Sequence, residues 1–261
     1  MNAMMMSTGS LPTYRASTTP DVPECFVANL RPDQPVLVAI HGISRNAAEI
    51  AMRFAIHPAF RQVSIIAPLF TRERFGQYQQ MRTRKPGQTQ SDAALIRLLE
   101  EVAEEHGVPV TRFRLFGFSG GAQMAHRFAM FHPERVERLC AVSAGWYSLP
   151  RTDLAYPYGI GNGQGDPLVG PDFLDIPTTV IVGNRDTRVD ESVRQDPEIV
   201  EHQGRNRLRR ARCYVSAASA YADSLGRPGR PQILTLHGVS HDFTQCVAEG
   251  ELLEFVAQNL V

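Results

Sequence analysis

Gly117-Phe118-Ser119-Gly120-Gly121 lies between an apolar strand pattern at 112–116 and a helical pattern at 121–131. That is the context of a nucleophile elbow, in which a serine sits on a sharp strand-to-helix turn. The flanking glycines are needed because a β-carbon at either place would collide with the neighbouring strand or helix. The pentapeptide makes Ser119 the candidate nucleophile and fixes a strand–turn–helix unit from which the other elements can be placed.

Upstream, Val36-Leu37-Val38-Ala39-Ile40 is an apolar run rich in branched residues, as in a strand buried on both faces. It ends at His41-Gly42. A helix is expected over 46–54 and a second buried strand over 63–67, closed by Pro68. Ser91 is expected to cap a helix whose Leu95, Leu98, Leu99 and Val102 share one face, ending at His106-Gly107. Downstream, strands are expected at 136–142, 178–182 and 232–236, with helices at 205–225 and 243–259. Patches at 13–16 and 25–30 read as antiparallel edge strands. Alternating strands and helices predict an α/β protein with a mostly parallel sheet covered on both faces, active at the carboxyl ends of its strands. The division expected is an N-terminal extension, 1–30, followed by one catalytic domain, 31–261. Residues 147–175, rich in Gly, Pro and Asp, read as a loop insertion instead of a large cap. Their Gly159 to Gly165 run lacks the strand–turn–helix context of a dinucleotide loop.

The chain has 261 residues, 43% of them hydrophobic, enough for one large core. Its formal net charge of zero argues against nucleic-acid binding. Lys85 is the sole lysine, so there is no Gly-Lys of a phosphate-binding loop and a single candidate for Schiff-base chemistry. Cys25, Cys140, Cys213 and Cys246 are too scattered to indicate a disulfide or zinc framework. The opening Met1-Asn2-Ala3-Met4-Met5-Met6 carries no basic residue, and no stretch reaches the length of a membrane span. The expectation is a soluble cytoplasmic protein without membrane association.

Acyl transfer by a serine needs a base to take its proton and an acid to orient that base, in the chain order Ser, Asp or Glu, His on this architecture. Asp186 follows the strand Val180-Ile181-Val182, and His241 follows the strand ending at Leu236. Both fall on the edge of the sheet that carries Ser119. Asp190 is the alternative acid and His237 the alternative base. His237 and His241 are four apart, but Gly238 and the missing Glu argue against a metal site. An oxyanion hole needs two backbone N–H groups: that of Gly120, and one from His41-Gly42-Ile43-Ser44, with Ile43 preferred and Ser44 second.

Those loops, together with Ser143-Ala144-Gly145-Trp146-Tyr147 and Gly238-Val239-Ser240-His241-Asp242, resemble the α/β-hydrolase superfamily. More narrowly they are similar to bacterial serine esterases of the poly(3-hydroxybutyrate) depolymerase-like kind. The resemblance runs from about residue 36 onward. It implies an eight-stranded sheet, a triad of Ser119, Asp186 and His241, and neither metal nor organic cofactor. The expected function is hydrolysis of a small carboxylic ester through an acyl-enzyme. A peptidase or thioesterase with the same triad is the rival within catalysis; a non-catalytic binding protein on the same fold is the rival outside it. Trp146 is either a pocket wall or a core contact. Arg45 pairs either with a substrate carboxylate or with a protein acid. His41 either holds the oxyanion loop or packs in the core. Asp242 is expected to cap the final helix.

Overall fold

A computed structural model describes residues 10–81 and 89–261; Met1 to Met6 and Lys85 lie outside the described residues. Eight strands form one sheet. They are β1 (Thr13–Arg15), β2 (Glu24–Ala28), β3 (Val36–Ile40), β4 (Ser64–Leu69), β5 (Phe113–Phe118), β6 (Val136–Val142), β7 (Thr178–Gly183) and β8 (Gln232–Leu236). The spatial order is β1-β2-β4-β3-β5-β6-β7-β8. The two N-terminal strands add antiparallel, with Phe26 opposite Ala67, and every other pair is parallel.

The parallel strands are buried on both faces, which is why they read as continuous apolar runs. In β3, Val36, Val38 and Ile40 face one core while Leu37 and Ala39 face the other. The first core is covered by α2 (Ser91–His106), α3 (Gly120–Phe131) and α5 (Arg207–Ser224). The second is covered by α1 (Ala47–Ile56), with α6 (Phe243–Ala248) and α7 (Leu252–Leu260).

Several boundaries differ from expectation for identifiable reasons. Pro68 does not close β4: the pairing with β3 stops at Ile66, so Pro68 needs no donor on that side and pairs only with Cys25 of β2. Ser91 is not a cap. It is the first residue of α2, and its hydroxyl donates to the Tyr78 carbonyl, 2.9 Å away. The closing helix is two helices. Glu251 adopts φ 53° between them, and a β-carbon on Gly250 would stand 2.8 Å from the Cys246 carbonyl, so the chain turns here and α7 lays Leu252, Leu253 and Val256 on the sheet. Helix α4 (Pro197–Gln203), with Pro at its start, was not anticipated. Segment 147–175 contains isolated bridges such as Leu149 to Gly159 and a 3-10 turn at Pro171–Asp175, and no large cap is present among the described residues.

Strand register sets the site. Ile40 lies beside Gly117, Phe118 beside Val142, and Gly183 beside Leu236. The loops leaving β3, β5, β7 and β8 therefore emerge on one edge.

Candidate active site

Ser119 occupies the turn between β5 and α3 with φ 55° and ψ −112°, a left-handed conformation that costs a non-glycine residue energy. Its N–H donates to the Val142 carbonyl at 2.8 Å, tying the strained residue to β6. The glycines on either side have no room for a side chain. A β-carbon on Gly117 would lie 2.3 Å from the Gly121 carbonyl oxygen, and one on Gly121 would lie 2.1 Å from that of Ile40. Backbone oxygens cannot rotate away, so both positions are closed even to alanine.

His241 and Asp186 meet the serine from their separate loops. His241 Nε2 is 2.9 Å from Ser119 Oγ, and His241 Nδ1 is 3.0 Å from Asp186 Oδ2. The imidazole lies over the Phe118 ring, with centroids 5.3 Å apart and planes at 21°. Ser119 is 8% exposed and Asp186 2%, so the acid is screened while the serine stays reachable. The rivals stand outside this relay: Asp190 is exposed and accepts from the Ser192 N–H, and His237 is exposed at the end of β8. Asp242 caps α6, accepting from the Gln245 N–H at 2.7 Å.

The loop after β3 closes over the nucleophile. Gly42 brings its backbone against Ser119, since a β-carbon there would be 3.3 Å from that of the serine. Ile43 N lies 3.4 Å from where a Gly120 β-carbon would stand, so the backbone of this loop runs against the residue after the nucleophile. His41 takes both roles considered for it. It is fully buried, its Nε2 accepts from the Phe70 N–H at 2.9 Å, and its Nδ1–H donates to the Gly42 carbonyl at 2.7 Å. Tyr78 donates its hydroxyl to the His41 carbonyl at 2.7 Å and stacks on Phe70.

This arrangement needs a neutral imidazole, because one ring nitrogen must accept. Burial accordingly lowers the His41 pKa to about 4. His126 is held the same way, accepting from the Ser148 N–H while donating to the Ala122 carbonyl, and burial lowers its pKa as well. The unfolded chain binds these protons near pH 6.5 and the native state does not. Stability contributed by neutral His41 is therefore complete above about pH 6.5 and lost as pH falls toward 4, by about 3 kcal/mol. Urea midpoints measured from pH 7 to pH 4.5 should fall in that window. A flat profile would rule out the neutral assignment.

Arg45 does not pair with an acid. Its guanidinium donates to the Phe70 carbonyl at 2.9 Å and to the Ile43 carbonyl at 2.8 Å, bracing the loop from behind. Trp146 is a packed side chain, 3% exposed, with the Arg127 guanidinium 4.2 Å from its ring centroid. The cleft lined by Ser119 and His241 takes its walls from other residues. That cleft encloses about 340 Å³. Ile43, Phe118 and Phe243 supply apolar walls, and Glu49, Ser192 and Arg207 polar ones. Among the described residues, no group of three or more His, Cys, Asp or Glu side chains is placed to hold a metal ion. No helix there is long and apolar enough to cross a membrane.

Two site residues escaped the sequence reading. Tyr78 stands in Phe75-Gly76-Gln77-Tyr78-Gln79-Gln80-Met81, which carries no catalytic motif. Arg207 left a signal: a cation in the first turn of a helix opposes the macrodipole, which argues for a carboxylate partner nearby.

No family model matches the chain, and no curated protein sequence does. Solved structures do. Poly(aspartic acid) hydrolase-1 from Sphingomonas sp. KT-1 is similar with a TM-score of 0.80 at 22% identity, over 95% of this chain and 98% of that one. A poly(3-hydroxybutyrate) depolymerase from Bordetella parapertussis gives 0.77 at 23% identity, over 96% and 91%. An S-formylglutathione hydrolase from Agrobacterium tumefaciens gives 0.61 at 12% identity, over the whole of both chains. Eight mostly parallel strands, helices on both faces, a serine elbow after β5 and these likenesses together show an α/β-hydrolase fold.

Proposed function

We propose that the protein is a serine hydrolase that cleaves carboxylic esters through an acyl-enzyme. The observation that carries this reading is the relay from Asp186 through His241 to Ser119, with both contacts at 3.0 Å or less beneath a strained elbow. His241 Nε2 takes the Ser119 proton as Oγ bonds to the ester carbonyl carbon, and the carbonyl π pair moves to oxygen. The Gly120 and Ile43 N–H groups hold that oxyanion; the loss of one such donor costs about 3 kcal/mol in the barrier. Collapse breaks the bond to the alkoxy oxygen, which takes the proton from His241, leaving the acyl group on Ser119. Water then repeats the sequence, giving up its proton to His241, and releases the carboxylic acid. Asp186 keeps the imidazole in the tautomer with Nδ1 protonated and stabilises the transient imidazolium.

The cleft favours a modest acyl or alcohol group lying against Ile43, Phe118 and Phe243. Proteins with similar folds act, by their names, on poly(aspartic acid), poly(3-hydroxybutyrate) and S-formylglutathione. The test is incubation with a fluorophosphonate followed by intact-mass measurement, then a matched panel of ester, thioester and amide substrates. One adduct on the native protein, with the ester turned over fastest, is the expected result. A folded protein that takes no adduct would leave a binding role instead, and faster cleavage of the amide would make it a peptidase.

A further inference from the structure

Arg207 is 3% exposed, a guanidinium out of water at the first position of α5. Burial and the helix macrodipole both oppose it there. A buried ion pair is a poor way to gain stability, because desolvation cancels most of the attraction. What it does supply is a fixed geometry. Arg207 Nη1 donates to Asp186 Oδ1 at 3.3 Å, while Oδ2 faces His241 at 3.0 Å, so each carboxylate oxygen has its own partner. The Leu208 N–H donates to the Asp186 carbonyl at 3.2 Å, so the same turn of α5 also holds the acid's main chain. The second arm of the fork goes elsewhere. Arg207 Nη2 donates to Ser192 Oγ at 2.9 Å and to the Ser192 carbonyl at 3.3 Å. Ser192, Arg207 and His241 line the same cleft.

We propose that Arg207 is a positioning residue that orients the acid of the triad and couples it to the wall of the cleft at Ser192. The inference rests on the triad reading above. The planar fork makes one rigid unit of Asp186 and the loop that bears Ser192, so that a ligand seated against that wall bears on the carboxylate that aligns His241. A lysine, whose donors all sit on one nitrogen, lacks the planar spread with which the two guanidinium nitrogens meet Asp186 and Ser192. The charge of Arg207 also offsets that of Asp186 as felt by the imidazole. The other charged groups around His241 are Asp190 on the Ser192 loop, the adjoining Asp242 and, across the cleft, Glu49.

The wild type is first shown to take a fluorophosphonate on Ser119; no adduct would defeat the triad reading and leave the present one without an object. Given an adduct, Arg207→Met and Arg207→Lys are compared by kcat, KM and the pH profile of kcat/KM. Removing the cation leaves Asp186 uncompensated, which favours imidazolium, so the acid limb for Arg207→Met should move up by about 1 pH unit. Its kcat should fall about a hundredfold with KM changed less. Arg207→Lys should restore the limb but remain about tenfold low in kcat. A folded Arg207→Met protein with the wild-type limb and kcat overturns the proposal. If that variant does not fold, Arg207→Lys decides alone: an unchanged kcat overturns it, and a tenfold loss at an unchanged acid limb supports it.

Discussion

Replacement of Ser119 by alanine is expected to lower kcat on any ester substrate about a million-fold, with the protein folded and KM changed little. The size follows from the triad acting as a unit: without the nucleophile, His241 has no proton to take and Asp186 nothing to orient, and only the oxyanion donors and binding remain. The structure favours a clean result. Ser119 Oγ has its hydrogen bond to His241 Nε2, and the turn itself is held by main-chain contacts such as Ser119 N–H to Val142. Alanine also lacks the hydroxyl that a fluorophosphonate would modify. The measurement is kcat on purified protein beside an intact-mass adduct assay. Hydrolysis within a hundredfold of wild type would remove Ser119 from the mechanism.

Asp186→Asn is the second large effect, a loss of about 10⁴ in kcat. The substitution keeps shape and burial but turns a two-oxygen acceptor into a group with one acceptor and one donor. Whichever way the amide settles, one of its two partners suffers. His241 Nδ1–H loses its acceptor, or Arg207 Nη1 faces an NH₂ group. The buried guanidinium also loses its counter-charge, so a lower melting temperature should accompany the loss of activity. The same kinetics on Asp190→Asn provide the discrimination: exposed and bonded only within its own loop, Asp190 should tolerate the change within about threefold. If Asp190→Asn were the inactive variant, the acid would have been assigned to the wrong loop.

Much of the architecture was legible because its central strands are buried on both faces and α1, α2, α5 and α7 on one. Val36 to Ile40 and Leu139 to Val142 have the composition that double burial demands, and the structure sets strands over those residues. Ser119, Asp186 and His241 were legible because each falls just past the carboxyl end of a strand, and the structure brings their side chains within hydrogen-bond reach. What the sequence hid depends on the third dimension. Pro68 stays inside β4 because the pairing with β3 has already stopped at Ile66, a matter of register. Nearness to the catalytic edge left two readings open for Arg45 and Trp146; in the structure Arg45 turns to main-chain carbonyls and Trp146 packs beneath Arg127. Arg207 lies 21 residues from Asp186, and only folding sets the start of α5 against the loop after β7.

The outermost position of β8 bears on how such a molecule would lose activity. Its only neighbour is β7, and most of its residues keep some contact with water, whereas β5 lies mid-sheet. The general base thus hangs from the sheet's margin and the nucleophile from its middle. Elements at a margin open locally at lower free energy than those at a centre. Peeling of β8 with α6 and α7 would carry His241 away while Ser119 remained fixed in its turn. Under mild denaturing stress the protein would then fall silent before it melted, and would recover as soon as the strand zipped back.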